Sequence, residues 1–195
     1  HENQLSYPWS TNDKDFINNK HKHYGFINYT SALTADHVLF NSNYHKNSFI
    51  EELKLLLKKF PDHNELATIE KIKDKSKVLY IGIDLKRFDN YKIKNEGPPL
   101  ILWNHRWEYD KNPEAFFDAL DALKEKNISF SLALLGEKYD IFPDIFKQAK
   151  EKFKDEILVY GYVESRNEYE TWLKKGAIVV SCAIQENFGI SIVEA

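Results

Sequence analysis

Arg106 and Lys111 stand on one short stretch, NHRWEYDK, directly after the apolar run Leu100 to Trp103. Two cations at that spacing, on a loop that follows a strand and precedes a helix, can clamp a diphosphate. An arginine does so with two parallel N–H donors. The bland alternative is an exposed loop with ordinary charges. Toward the other end, QENFGISIVE places Glu186 before a predicted helix and Glu194 within it. Helical side chains lean toward the helix N-terminus, so Glu194 is expected to point back at a ligand held at the helix start. Gly189 allows close backbone approach there, and Asn187, Phe188 and Gly189 offer N–H groups that suit phosphate or sugar hydroxyls. Two acidic residues near a helix N-terminus also satisfy the helix dipole without any ligand.

Two further turns have the same double reading. Gly161-Tyr162-Val163-Glu164-Ser165-Arg166 can hold a nucleobase through backbone contacts or serve as a plain turn and helix cap, and Leu135-Gly136-Glu137 ends an apolar run. The opening His1-Glu2-Asn3-Gln4 gathers polar side chains ahead of Tyr7-Pro8-Trp9, a composition that can grip a sugar or simply fray. No metal site is expected. Asp13-Lys14-Asp15 matches a D-x-D pattern but no apolar strand precedes it, and His21-Lys22-His23 lacks a carboxylate or thiol at ligand spacing. Cys182, the single cysteine, follows an apolar run and reads as a small core residue.

The elements that must carry these residues fall into two regimes. From Leu100 onward, strands at Leu100–Trp103, 130–135, 157–160 and 177–181 alternate with helices at 112–126, 143–153 and 166–175, and a last helix opens near Gly189. That alternation means parallel βαβ units, whose ligands sit at the carboxyl ends of the strands. Asn112 is the expected N-cap of the first of these helices and Pro113 its first-turn residue. The earlier half is helical and irregular, with a helix over 49–60 stopped by Pro61 and short strands at 38–41 and 77–83. Between them RFDNYKIKNEGPP, residues 87–99, reads as a linker. The expected division is 1–92 and 93–195.

Composition limits the function classes. The chain has 195 residues, 43% hydrophobic and 29% charged, which is globular rather than disordered. A net charge of -3 gives no polyanion signal on its own, and no apolar run approaches the ~20 residues that span a bilayer. The absence of Met and the abrupt termini suggest a piece of a longer protein.

The joint order of R-x4-K, a glycine turn and E-x7-E resembles the C-terminal domain of glycosyltransferase family 4, and Tyr80-Ile81-Gly82-Ile83-Asp84 with Phe88 resembles that family's segment just before it. HENQLSYP, YGFINYTSAL, FNSNYHKNSF, LYIGID, LWNHRWEYDKNPE and QENFGISIVEA are similar to the tRNA-queuosine α-mannosyltransferase family. The resemblance implies an α/β fold of GT-B type, with part of the first Rossmann-like domain and most of the second in this chain. It implies GDP-mannose as donor, queuosine of aspartate tRNA as acceptor, retention at the anomeric carbon, no cofactor, and a cytoplasmic or also nuclear setting. Arg106 and Lys111 would bind the diphosphate, Glu186 the sugar with Asn187, Phe188 and Gly189, Glu194 the ribose, and Tyr162 and Val163 the base. Gly82 would line the cleft. His1, with Glu2 and Asn3, would face sugar or acceptor. The chain alone is expected to be inactive. The competing readings are another nucleotide sugar with a glycan or lipid acceptor, and a non-catalytic sugar-nucleotide or tRNA-binding module.

Overall fold

The computed structural model describes residues 3–6, 8–9, 14–18, 20–88, 93, 97–137 and 142–195, without the side chains of His21 and Lys22. It divides into two compact units, His1–Gly82 with Gln185–Phe188, and Ile83–Ile184 with Gly189–Ala195. The units meet in sequence at Gly82 and Ile83, ahead of the polar stretch from Arg87 to Pro99.

The first unit contains α1 (Lys14–Ile17), α2 (His21–Thr34), β1 (Val38–Phe40), α3 (Asn43–Leu57), α4 (Thr68–Asp74) and β2 (Ser76–Val78). β1 and β2 pair in parallel, with Val38 opposite Ser76. α3 starts earlier than its apolar periodicity suggests because Ser42 caps it, its Oγ accepting from the His45 N–H at 2.9 Å. The helix buries Phe49, Leu53 and Leu57, one stripe at i, i+4 and i+8, and ends at Leu57 instead of running to Phe60. Tyr29 and Ala32 of α2 and Ile69 and Ile72 of α4 complete this core. The strand expected at 77–83 stops at Val78. One further rung follows, from the Leu79 N–H to the Phe40 carbonyl at 2.8 Å, and Leu79 and Tyr80 are exposed.

The second unit has the expected parallel βαβ order: β3 (Leu100–Asn104), α5 (Pro113–Glu125), β4 (Ser131–Leu135), α6 (Ile145–Lys152), β5 (Ile157–Gly161), α7 (Arg166–Lys175), β6 (Ile178–Val180) and α8 (Ile190–Val193). The sheet order is β5-β4-β3-β6, all parallel. Every residue of β3 is buried, the continuous apolar pattern of a strand covered on both faces. Side-chain alternation splits the core accordingly. Ile101, Trp103, Leu132 and Leu134 pack on one face with Phe116, Phe117 and Leu120 of α5, Phe146 of α6 and Phe153 just beyond it. Leu100, Leu102, Ala133 and Leu135 pack on the other with Leu173 of α7. Pro113 takes the first helical position of α5, but Asn112 is not a side-chain cap. Its backbone is left-handed, φ 51°, and its amide makes no capping bond. The chain therefore turns sharply from the preceding 3-10 helix, Tyr109–Lys111, into α5.

Candidate functional site

The loop after β3 is fixed by its neighbours before any ligand is considered. Gly136, directly after β4, has φ +127°, and a Cβ on it would lie 1.9 Å from the His105 carbonyl oxygen. The ends of two adjacent strands therefore touch at a position that only glycine fits. One residue past Arg106, the Trp107 N–H donates to the Glu137 carbonyl at 3.0 Å. The Trp107 indole is fully buried, stacked on Phe146 at 4.3 Å with the rings 1° from parallel, and meets Tyr160 edge-on at 4.7 Å. On the other side the Trp103 Nε1–H donates to the His105 carbonyl at 3.1 Å. Arg106 thus rises from backbone held on both sides. Its side chain is 47% exposed, with Nη2 3.0 Å from Glu108 Oε2.

Lys111 is placed differently. Its side chain is 10% exposed and its Nζ lies 3.2 Å from Asp110 Oδ2. Asp110 is buried, its Oδ1 has no hydrogen-bond partner, and its carbonyl accepts from the Ile184 N–H at 2.8 Å. A buried carboxylate beside a buried ammonium depends on that ammonium for its charge balance. The two cations of R-x4-K share one loop but present unequal surfaces: Arg106 faces solvent, and Lys111 is nearly buried against Asp110, whose carbonyl is tied to the segment after β6.

Glu194 sits in a dense polar network in the second unit. Its Oε1 accepts from Arg87 Nη2 and Arg166 Nη2, each at 2.8 Å, and its Oε2 from the Tyr169 hydroxyl at 3.0 Å. The Nε atoms of the same arginines lie 3.4 Å and 3.1 Å from Glu170 Oε1, so two guanidiniums balance two carboxylates. Asn104, at the end of β3, donates from Nδ2 to the Tyr169 hydroxyl at 3.0 Å and to the Ser191 carbonyl of α8 at 2.8 Å. Burial, together with the nearby Glu194 charge and against the Asn104 hydrogen bond, pushes the Tyr169 phenol up to about 12. It is therefore protonated, and a donor, at any neutral pH.

The remaining sequence-derived residues separate. Gly189 has φ 73° and opens α8, so its glycine is required by backbone conformation; α8 has four residues in this chain. Tyr162 follows β5 with its side chain exposed, while Val163 packs against the second face of the sheet. Glu186, Asn187 and Phe188 group with the first unit and Gly189 and Glu194 with the second. Within the first unit, Gln185 Nε2 donates to Ser6 Oγ at 3.2 Å and Asn187 Oδ1 at 3.3 Å. Gly82 has no positive φ and open space where a Cβ would stand. Asn3 is buried, donating from Nδ2 to Ser6 Oγ at 2.8 Å, and lines a cleft of about 270 Å³ with Asn28, His37 and His45. His1 and Glu2 lie outside the described residues.

Cys182 is half-buried against the sheet core, and burial pushes its thiol up. Among the described residues no three His, Cys, Asp or Glu side chains gather as a metal site, and no helix is long and apolar enough to cross a membrane. Sequence reasoning gave no role to Asn104 or Trp107, although both lie in NHRWEYDK, and did not single out Arg87 or Tyr169. Only Trp107, an aromatic residue amid the charges of NHRWEYDK, carried a usable signal.

Comparison with known proteins adds to this geometry. Residues 1–83 match the family model described as tRNA-queuosine alpha-mannosyltransferase N-terminal, and residues 86–195 match glycosyl transferases group 1. The chain is also similar to the tRNA-queuosine alpha-mannosyltransferase of Drosophila melanogaster. The two are 35% identical over 204 residues, an alignment that covers 100% of this chain and 52% of that protein. The chain thus spans about half the length of that curated relative.

Proposed function

The chain belongs to the glycosyl transferases group 1 family, and from that premise we propose that it forms the donor-binding part of a retaining mannosyltransferase that moves mannose from GDP-mannose to queuosine in aspartate tRNA. The observation that carries this reading is the half-exposed Arg106, raised at the carboxyl end of β3 on a loop locked by Gly136 and Trp107. Ligands of open parallel sheets bind at that end.

As the glycosidic bond breaks, negative charge grows on the diphosphate and positive charge on the sugar ring. Arg106 offers its guanidinium to the phosphate oxygens, and Lys111 adds a second cation from the same loop. Because the loop is pre-set by packing, these donors need little rearrangement when charge develops, which is what makes such groups effective. Glu186 meets the sugar, with Asn187, Phe188 and Gly189 as backbone donors. Glu194 takes a ribose hydroxyl on Oε2, since Oε1 already accepts from two arginines. Tyr162 offers an exposed ring to the base, with Val163 beside it. A donor phosphate oxygen takes the proton of the attacking hydroxyl on the same face, giving retention. The protein's own cations neutralise the leaving group, so the reaction needs no cofactor. The similarity to a tRNA-modifying relative supports a tRNA acceptor.

Arg106→Ala in the intact enzyme is expected to lower turnover by about 10²–10³-fold, the effect of removing one donor to developing charge. Its melting temperature should fall only modestly, because the Arg106 side chain is about half exposed although the Glu108 Oε2 it leaves is buried. Near-normal turnover would remove the clamp from the mechanism.

A further inference from the structure

The Glu194 carboxylate is held by more than its charge partners. Asn104 Nδ2 spends one hydrogen on the Ser191 carbonyl and the other on the Tyr169 hydroxyl oxygen. The first bond fixes the amide orientation, since a flipped amide would set its own oxygen against that carbonyl. The second occupies an acceptor site on the Tyr169 oxygen, so the hydroxyl proton is directed to its remaining neighbour, Glu194 Oε2, at 3.0 Å. The chain of bonds begins in the sheet, at the last residue of β3, and ends on the carboxylate oxygen that the arginines leave alone.

We propose that Tyr169, aligned by Asn104, is a positioning residue that aims Glu194 Oε2 at the ribose hydroxyls of a bound nucleotide. This rests on the reading of Glu194 as the ribose ligand and extends it. The charge cluster alone would hold Oε1 and leave the carboxylate free to turn about it; the tyrosine removes that freedom. A tyrosine phenol, ordinarily near 10, is in its donor form throughout the neutral range, and burial raises Tyr169 further. The Arg166 guanidinium lies 5.1 Å from the Tyr169 ring centroid and so helps to keep the ring in place. Specificity for a diol over its deoxy analogue arises when a polar group is fixed so that the wrong ligand leaves it unmatched.

The test is calorimetric titration of the intact enzyme with GDP and with 2′,3′-dideoxy-GDP, in wild type, Glu194→Gln and Tyr169→Phe. Wild type should prefer GDP by about tenfold or more, the scale of a hydrogen bond to a charged acceptor. Glu194→Gln and Tyr169→Phe should both shrink that ratio to roughly threefold or less. A change in melting temperature alone would report only structure; the ratio does not respond to a general loss of stability. If Glu194→Gln erases the preference and Tyr169→Phe keeps it, the positioning role is overturned while the ribose reading stands. If Glu194→Gln keeps the preference, the ribose reading fails and the positioning role with it. Should Tyr169→Phe fold poorly, a crystal structure of the wild-type enzyme with GDP decides. A ribose hydroxyl and the Tyr169 hydroxyl sharing Oε2 supports the proposal, and a ribose bound elsewhere overturns it.

Discussion

Gly136→Ala tests whether the contact between strand ends fixes the donor loop, with Gly82 and Gly161 as two graded controls. Gly82 has neither a positive φ nor any atom within 4 Å of a built Cβ, so Gly82→Ala should shift stability by no more than about 0.5 kcal/mol. Gly161 has φ +114° but open space around the added carbon. Gly161→Ala therefore isolates the backbone cost, about 1–3 kcal/mol for a residue held in a sparsely populated region. Gly136 has φ +127° and a Cβ position 1.9 Å from the His105 carbonyl oxygen and 2.8 Å from its carbon. Overpacking typically adds about 1–3 kcal/mol, so Gly136→Ala should lose about 2–6 kcal/mol in total. The obstacle is backbone, so relief must come from moving residues 105–106, and affinity for the nucleotide sugar should fall as well. Urea denaturation followed by tryptophan fluorescence is a suitable assay, since Trp103 and Trp107 are buried beside the loop. If Gly136→Ala were no worse than Gly161→Ala, the contact between strand ends would not be what fixes the loop.

Lys111→Met should cost about 3–5 kcal/mol, because it leaves Asp110 buried without its cation. The double variant Lys111→Met with Asp110→Leu should recover most of that stability in denaturation while transfer stays impaired. A single variant as stable as wild type would show that the pair does not hold the loop. Burial holds the His45 imidazole below its ordinary 6.5. The folded state therefore favours the neutral ring, and its contribution is present above about pH 6.5 and lost as pH falls from there through the depressed value. Melting curves between pH 7.5 and 5.5 should show a fall in stability that is smaller in His45→Gln; an equal fall would assign it to other groups.

The second unit was legible because its strands are short, apolar and separated by helices of ordinary length. Arg166–Lys175 was placed to the residue, since Ser165 caps it and Gly176 ends it. Local signals did less well where tertiary contacts decide. The β2 strand ends at Val78 although apolar residues continue to Ile83, because pairing with β1 runs out. α2 has little apolar periodicity, and α4, only seven residues long, is too short for its buried Ile69 and Ile72 to establish a sustained period in the sequence. The spacing of Arg106, Lys111, Glu186 and Glu194 could be read directly, yet their environments could not. Nothing local says that Lys111 is buried against Asp110 or that Arg87, 107 residues away, shares the Glu194 carboxylate. Asn104 and Tyr169 are likewise ordinary in sequence and acquire a role only where β3, α7 and α8 converge.

The most direct test of the central claim is to incubate the intact enzyme with queuosine-containing aspartate tRNA and a panel of nucleotide sugars, and to read the modified nucleoside by mass spectrometry. One hexose should be added from GDP-mannose, with no comparable product from UDP- or ADP-linked sugars and none with tRNA lacking queuosine. Transfer from another nucleotide sugar, or no transfer to queuosine despite tight binding of GDP-mannose, would contradict it.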